Sequence, residues 1–204
     1  MALRLSLLAL LLAPLLASSA EAWPRGPRVV RGLAGDPPLV LDLRHPPKLA
    51  ARARVETLDR VVACARKRLP CRGASCEVYA RLGRGPVRLS QAVARGIGAC
   101  RERAFLLSAM LGEAGVRHRV RYGLRYDATG NPGTERHAWV EARVDGRRWL
   151  LDPAFCSFAL PIDRVAVAEE LRGGRIRNTE GARAGDAIYV PVGAPRYDRP
   201  GERP

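Results

Sequence analysis

The sequence predicts an α+β domain, with helices packed against an antiparallel sheet. Apolar residues recur at helical spacing in "VETLDRVVACARKRL" (55–69) and again from Cys100 onward. Residues then alternate at strand period in "VRHRVRYGLRY" and "RHAWVEARV", and an Asp-Gly pair joins the second of these to "RRWLLDPAF". Strands joined by a two-residue turn must run antiparallel, which sets the sheet type.

The ends of the chain read differently from its centre. Arg4, an apolar run from Leu5 to Ala17 broken by Pro14, and the small residues from Ser18 to Ala22 have the order of a secretory signal, so 1–22 is expected to be cleaved after Ala20 or Ala22. The run is short of the roughly 20 apolar residues a spanning helix needs, so no stable membrane anchor is expected. Residues 23–38, rich in Pro and Gly, are expected to be flexible, and 191–204 a disordered tail with little to bury. The domain is placed at 39–190, a length that supports one core.

Within it, Leu58, Val61, Val62, Ala65 and Leu69 form one helical stripe that Pro70 ends. The stretch "PCRGASC" reads as turns. Residues 89–95 form a short helix capped by Ser90 and broken by Gly96 and Gly98. From Cys100 the repeat Ala104, Leu107, Leu111, Ala114 gives a third helix, which Gly115 stops.

Asp145-Gly146 fixes a register. A mirror-image two-residue turn makes Val144 and Arg147 the closing pair, so Arg143 faces Arg148, Glu141 faces Leu150 and Trp139 faces Asp152. Opposite residues share a face, as do residues two apart on one strand, so His137 and Asp152 become diagonal neighbours with Cβ atoms ~7 Å apart. A slip of one residue would place them on opposite faces.

The segments "GACRERAFLLSAMLGEAGVRHRVRYGL" and "RHAWVEARVDGRRWLLDPAF" resemble the core of the transglutaminase-like superfamily, in an exported bacterial form. The resemblance rests on Gly98 and Cys100, the helix after them, Gly115 with its strand, His137-Ala138-Trp139 and Asp152-Pro153, in that order. It implies a papain-like core with the catalytic helix packed on the antiparallel sheet. Cys100 is then the nucleophile, His137 the base and acid, and Asp152 the group that orients the histidine.

Elementary chemistry supports the same roles. Thiolate is the attacking species, and both a helix start and a neighbouring imidazolium favour it. A carboxylate on one ring nitrogen leaves the other free to exchange a proton with sulfur and leaving group. An amide or ester would pass through a thioester, resolved by water or an amine, with the Cys100 amide as one oxyanion donor and Gln91 as the candidate second. Trp139 is expected as a wall of the site, His118 as a surface residue, and His45 as a loop residue without an assignable partner.

Cys64, Cys71, Cys76 and Cys156 remain as an even set, expected to form disulfides in an exported protein, one of them within 64–76. Their spacing lacks the CxxC knuckle of a zinc site, so no metal and no cofactor is expected. The net charge of +15 is nearly all arginine, with Lys48 and Lys67 the two lysines. It is spread along the chain, a pattern that base composition alone can produce, and it lacks the aromatic interleaving of a single-strand binder, so no nucleic-acid partner is expected. The expected protein is a secreted or periplasmic cysteine hydrolase or acyltransferase acting on protein or peptide substrates. The alternative is a non-catalytic module of the same fold whose arginines hold an anionic envelope polymer.

Overall fold

The structure, a computed structural model, describes residues 26–31, 36–47, 55–70, 75–83, 85–126, 135–155, 159–162, 166–167, 170–172, 175–177 and 187–198. The expected signal segment 1–22 lies outside them. Among the described residues, no helix is long and apolar enough to cross a membrane.

In chain order the elements are β1 (Arg28–Val30), β2 (Leu39–Leu41), α1 (Val55–Arg68), α2 (Ser75–Leu82), β3 (Val87–Arg88), α3 (Leu89–Arg95), α4 (Cys100–Glu113), β4 (Arg117–Tyr126), β5 (Glu135–Val144) and β6 (Arg147–Leu151). Then follow β7 (Leu160–Pro161), β8 (Ala166–Val167), β9 (Glu170–Arg172), β10 (Arg175–Arg177), β11 (Ile188–Gly193) and β12 (Tyr197–Asp198). A six-stranded sheet, ordered β7-β6-β5-β4-β11-β8, is antiparallel except where β8 meets β11. A second sheet is ordered β12-β1-β2-β3, and β9 and β10 pair antiparallel. The fold is α+β, as expected.

The stripe Leu58, Val61, Val62, Ala65 and Leu69 is fully buried, and α1 lies against α4. Helix α4 is buried far more completely than a single stripe requires. Arg101 through Leu111 all lie inside, because α1, α3 and the large sheet all pack on it. It covers one face of that sheet, where Val120, Tyr122, Ala138, Val140, Ala142, Val144 and Leu151 join its core. The opposite face carries Trp139, Leu150 and Tyr189, packed with Ile162.

The β5–β6 register is the counted one: Val144 pairs with Arg147, Arg143 with Arg148 and Glu141 with Leu150. Asp145 (φ 51°) and Gly146 (φ 75°) both take the left-handed conformation that this turn demands. Strand β4 pairs with β5 so that Gly123 stands opposite His137. A Cβ on Gly123 would lie 2.1 Å from the Val190 carbonyl oxygen and 2.5 Å from the Trp139 ring, so this position admits hydrogen alone. Gly123→Ala is expected to cost at least ~3 kcal/mol of stability in urea unfolding, since the obstacles are backbone and a buried ring. Near-normal stability would mean that β11 and Trp139 can yield.

Several expectations are corrected. The segment 23–38 contains β1, and the tail from Pro191 contains the end of β11 and all of β12, which pairs with β1. These short strands are held by backbone pairing, by buried Val30 and by the Arg31–Asp198 ion pair, none of which needs an apolar run. Ser90 is not the cap of α3. It lies inside the helix, and its N–H and hydroxyl both donate to Asp42, at 2.9 and 2.8 Å. Helix α2 begins within the stretch expected as turns. Cys64, expected in a disulfide, is a free thiol. It is half-buried against the core, as a small apolar side chain would be. Cys71, Cys156 and the side chain of Cys76 lie outside the described residues.

Candidate active site

The loop before Cys100 is fixed from inside the protein. The buried Glu102 carboxylate accepts the Ala99 N–H at 2.9 Å, which is half of a capping box, since alanine has no oxygen to return the bond. Arg101 donates twice to Glu102, at 2.9 and 2.7 Å. Arg103 donates to the Gly98 carbonyl at 2.9 Å and also to the Leu69 carbonyl, tying the end of α1 to the turn that delivers Cys100. Gly98 packs closely as well: a Cβ there would stand 3.0 Å from that of Glu102. Cys100 is thereby the first residue of α4, and its amide is among those the helix leaves without an intrahelical acceptor.

The start of α4 meets the start of β5. The Cys100 thiol lies 4.0 Å from the Arg136 carbonyl oxygen and close enough to the His137 imidazole to help raise its pKa. On the other side of the ring, His137 Nε2 lies 2.7 Å from Asp152 Oδ2. Nδ1 is therefore the nitrogen left for sulfur. Asp152 follows the last residue of β6, and the Ala154 N–H donates to its Oδ1 at 3.0 Å. Its diagonal relation to His137 follows from the register of the Asp145-Gly146 hairpin.

Burial alone would depress the His137 pKa, but the charge and hydrogen bond of Asp152, with a further contribution from Cys100, push it up to about 10. Asp152 is wholly buried, which would raise its carboxyl. The charge and hydrogen bond of His137, with donors from Tyr189 and Ala154, hold it below the ordinary range instead. The pair is an imidazolium and a carboxylate at neutral pH. For His137 the folded value exceeds the ordinary 6.5, so its stabilisation is complete below pH 6.5 and fades as pH climbs toward about 10. For Asp152 the stabilisation is present above its ordinary 3.8 and is lost as pH falls through its depressed folded value. The unfolding free energy should accordingly decline more steeply from pH 6.5 to 10 in the wild-type chain than in His137→Gln. Parallel curves would show that the imidazole gains no charge on folding.

The transglutaminase-like superfamily profile matches residues 48–152, a span that contains Cys100, His137 and Asp152. The chain belongs to the transglutaminase-like superfamily. No curated protein matches it. Among solved structures it is similar to an inferred cysteine protease from Cytophaga hutchinsonii, at 15% identity over 73% of this chain and 51% of that one, with a TM-score of 0.32. The chain spans about half the length of that protein, and a likeness of this degree carries no argument about activity.

Around this transglutaminase-like centre stand residues that sequence reasoning missed. The Tyr189 hydroxyl donates to Asp152 Oδ2 at 2.7 Å, so tyrosine and histidine converge on one oxygen. Trp139 stacks near the imidazole (centroids 6.2 Å, 19° between planes), and the edge of Phe155 approaches it at 5.1 Å. Trp139, expected as a wall of the site, is itself buried. Gln91 sits on α3, half-buried, and has no described contact with Cys100. His118, expected at the surface, is buried and contacts Ser108 Oγ at 2.8 Å and the Val116 carbonyl at 2.7 Å on the α4 side of the sheet. A strand alternation locates it there, since His118 shares parity with Val120 and Tyr122.

Proposed function

We propose that this chain is a cysteine-dependent hydrolase or acyltransferase acting on amide bonds of proteins or peptides. The observation that carries the reading is the His137–Asp152 pair, joined at 2.7 Å, with the Cys100 thiol set at the start of β5 against the carbonyl of Arg136, the residue before His137. In this reading the Cys100 sulfur attacks the substrate carbonyl carbon, and the oxyanion takes a hydrogen bond from the Cys100 amide. The C–N bond then breaks as His137 gives its proton to the departing nitrogen. The thioester left on sulfur reacts with water or an amine, whose proton returns to His137, and the thiolate is regenerated. Asp152 keeps its charge throughout, opposite the imidazolium.

The proposal includes export, on the strength of residues 1–22. Amino-terminal sequencing of protein from the periplasm or medium is expected to find a start at Glu21 or Trp23; an intact Met1 form in the membrane fraction would overturn that part. The chemistry is tested by trapping the acyl group in a periplasmic extract and identifying it by mass spectrometry. The adduct is expected on the peptide containing Cys100. An adduct on other residues with Cys100 unmodified would remove the reading.

A further inference from the structure

The arginines of β4 have an order that the catalytic reading leaves unused. Arg117, Arg119 and Arg121 take alternate positions along the strand, Gly123 takes the next and Arg125 the one after, so the four arginines share the sheet face that carries His137, the face turned away from α4. Two neighbouring strands extend the pattern. The pairings Arg117↔Arg143 and Arg143↔Arg148 set three arginines directly side by side across β4, β5 and β6. Like charges directly opposite each other are unfavourable in a sheet. Among residues with described side chains, Glu141 and Asp152 are the acids on this face. Glu141 is bound by Arg119 (2.6 Å) and Arg121 (3.4 Å), and Asp152 by His137. A cavity of about 460 Å³ opens at the arginine-rich end, lined by Arg117, Arg119, Arg143, Arg148 and Glu141.

The opposite end of the row reaches the candidate active site. The Arg125 guanidinium lies 3.8 Å from the ring centroid of Phe155, which is half-exposed and edge-on to His137. From Arg117 to Arg121 the strand covers ~13 Å with alternate side chains ~6.7 Å apart, and between Arg121 and Arg125 the row is interrupted by Gly123 and the buried Trp139 ring over it. An extended peptide bearing acidic residues at alternate positions has the same spacing. The exposed end has no Phe, Tyr or Trp among its lining residues, and the His118 ring that borders it is buried against Ser108 and the Val116 carbonyl, which disfavours stacked bases.

We propose that this arginine row is the substrate-binding track of the enzyme, holding an acidic, extended polypeptide segment whose amide group is delivered to Cys100. The inference rests on the catalytic reading for its last step, but binding is measured without catalysis. The probe is a fluorescein-labelled poly-L-glutamate, titrated by anisotropy against the full chain carrying Cys100→Ala at low salt, with polyphosphate of matched charge as competitor. Arg143→Glu is the deciding variant, because it places a carboxylate between Arg117 and Arg148. The expected result is a dissociation constant at least ~10-fold weaker than in the parent, together with an unchanged or higher melting temperature. Polyphosphate should compete more weakly than unlabelled poly-L-glutamate. An unchanged constant in Arg143→Glu would overturn the track. Stronger competition by polyphosphate would overturn the peptide assignment in favour of a phosphate polymer. Neither result bears on Cys100, whose reactivity is assayed separately, so failure of the track and failure of the catalytic reading are distinguishable.

Discussion

Asp152→Asn is expected to fold and to lose turnover by ~10³–10⁴-fold. The substitution preserves shape, and an amide oxygen at the Oδ2 position can still accept from Tyr189 and from one imidazole nitrogen, while the Ala154 N–H loses its acceptor at Oδ1. What is lost is the negative charge, which opposes the effect of burial and holds His137 as an imidazolium. A neutral His137 beside a neutral carboxamide must first take the thiol proton before it can give one to the leaving nitrogen, the imidazolium so formed lacks a facing charge, and its tautomer is set by a weaker partner. The check is single-turnover acylation by a p-nitrophenyl ester, with circular dichroism to confirm folding. Glu141→Gln is the control. It lies on the same face four residues from His137, ~13 Å along the strand, and its partners are Arg119 and Arg121 rather than the imidazole. Its acylation rate should stay within a few-fold of wild type. The reverse ranking would reassign the orienting carboxylate.

Cys100→Ser is expected to remove at least ~10⁴-fold of the acylation rate. A hydroxyl is far less acidic than a thiol, so the imidazolium that suits a sulfur nucleophile is the wrong protonation state for activating serine. Because Cys100 is half-buried at the first position of α4, the smaller oxygen should leave the helix and its Glu102 cap intact. The same assay is used, with mass spectrometry of the acyl adduct. Retention of more than a few per cent of the rate would place the nucleophile elsewhere.

The parts of this site that could be read from the sequence are those governed by local rules. The Asp145-Gly146 turn fixed the pairing of β5 with β6, and pairing with alternation placed His137 beside Asp152. Tyr189 could not be found that way. It lies on β11, separated from Asp152 by 37 positions, and it arrives only because β11 pairs with β4 on the far side of β5. The sequence signal for Gly123 was equally faint, because its requirement comes from Val190 and Trp139 on two other strands. Charge was misleading in the other direction. Arg101, Glu102 and Arg103 look like a solvated helix face, yet they are buried and satisfied by one another and by loop carbonyls, which lets α4 run through the centre of the protein. Cys64 shows the same limit for cysteine counting, since an even number of thiols permits pairing but does not bring them together.

The central claim is that Cys100 reacts as a thiolate partnered by His137, and Cys64 supplies a reference within the same molecule. The decisive measurement is the rate of iodoacetamide alkylation at each cysteine between pH 5 and 9, resolved by peptide mass spectrometry, in the wild-type chain and in His137→Gln. The account predicts that below pH 7 Cys100 is alkylated much faster than a model thiol and than Cys64, and that His137→Gln abolishes this advantage. Equal rates at Cys100 and Cys64 below pH 7, or an advantage that survives in His137→Gln, would contradict it.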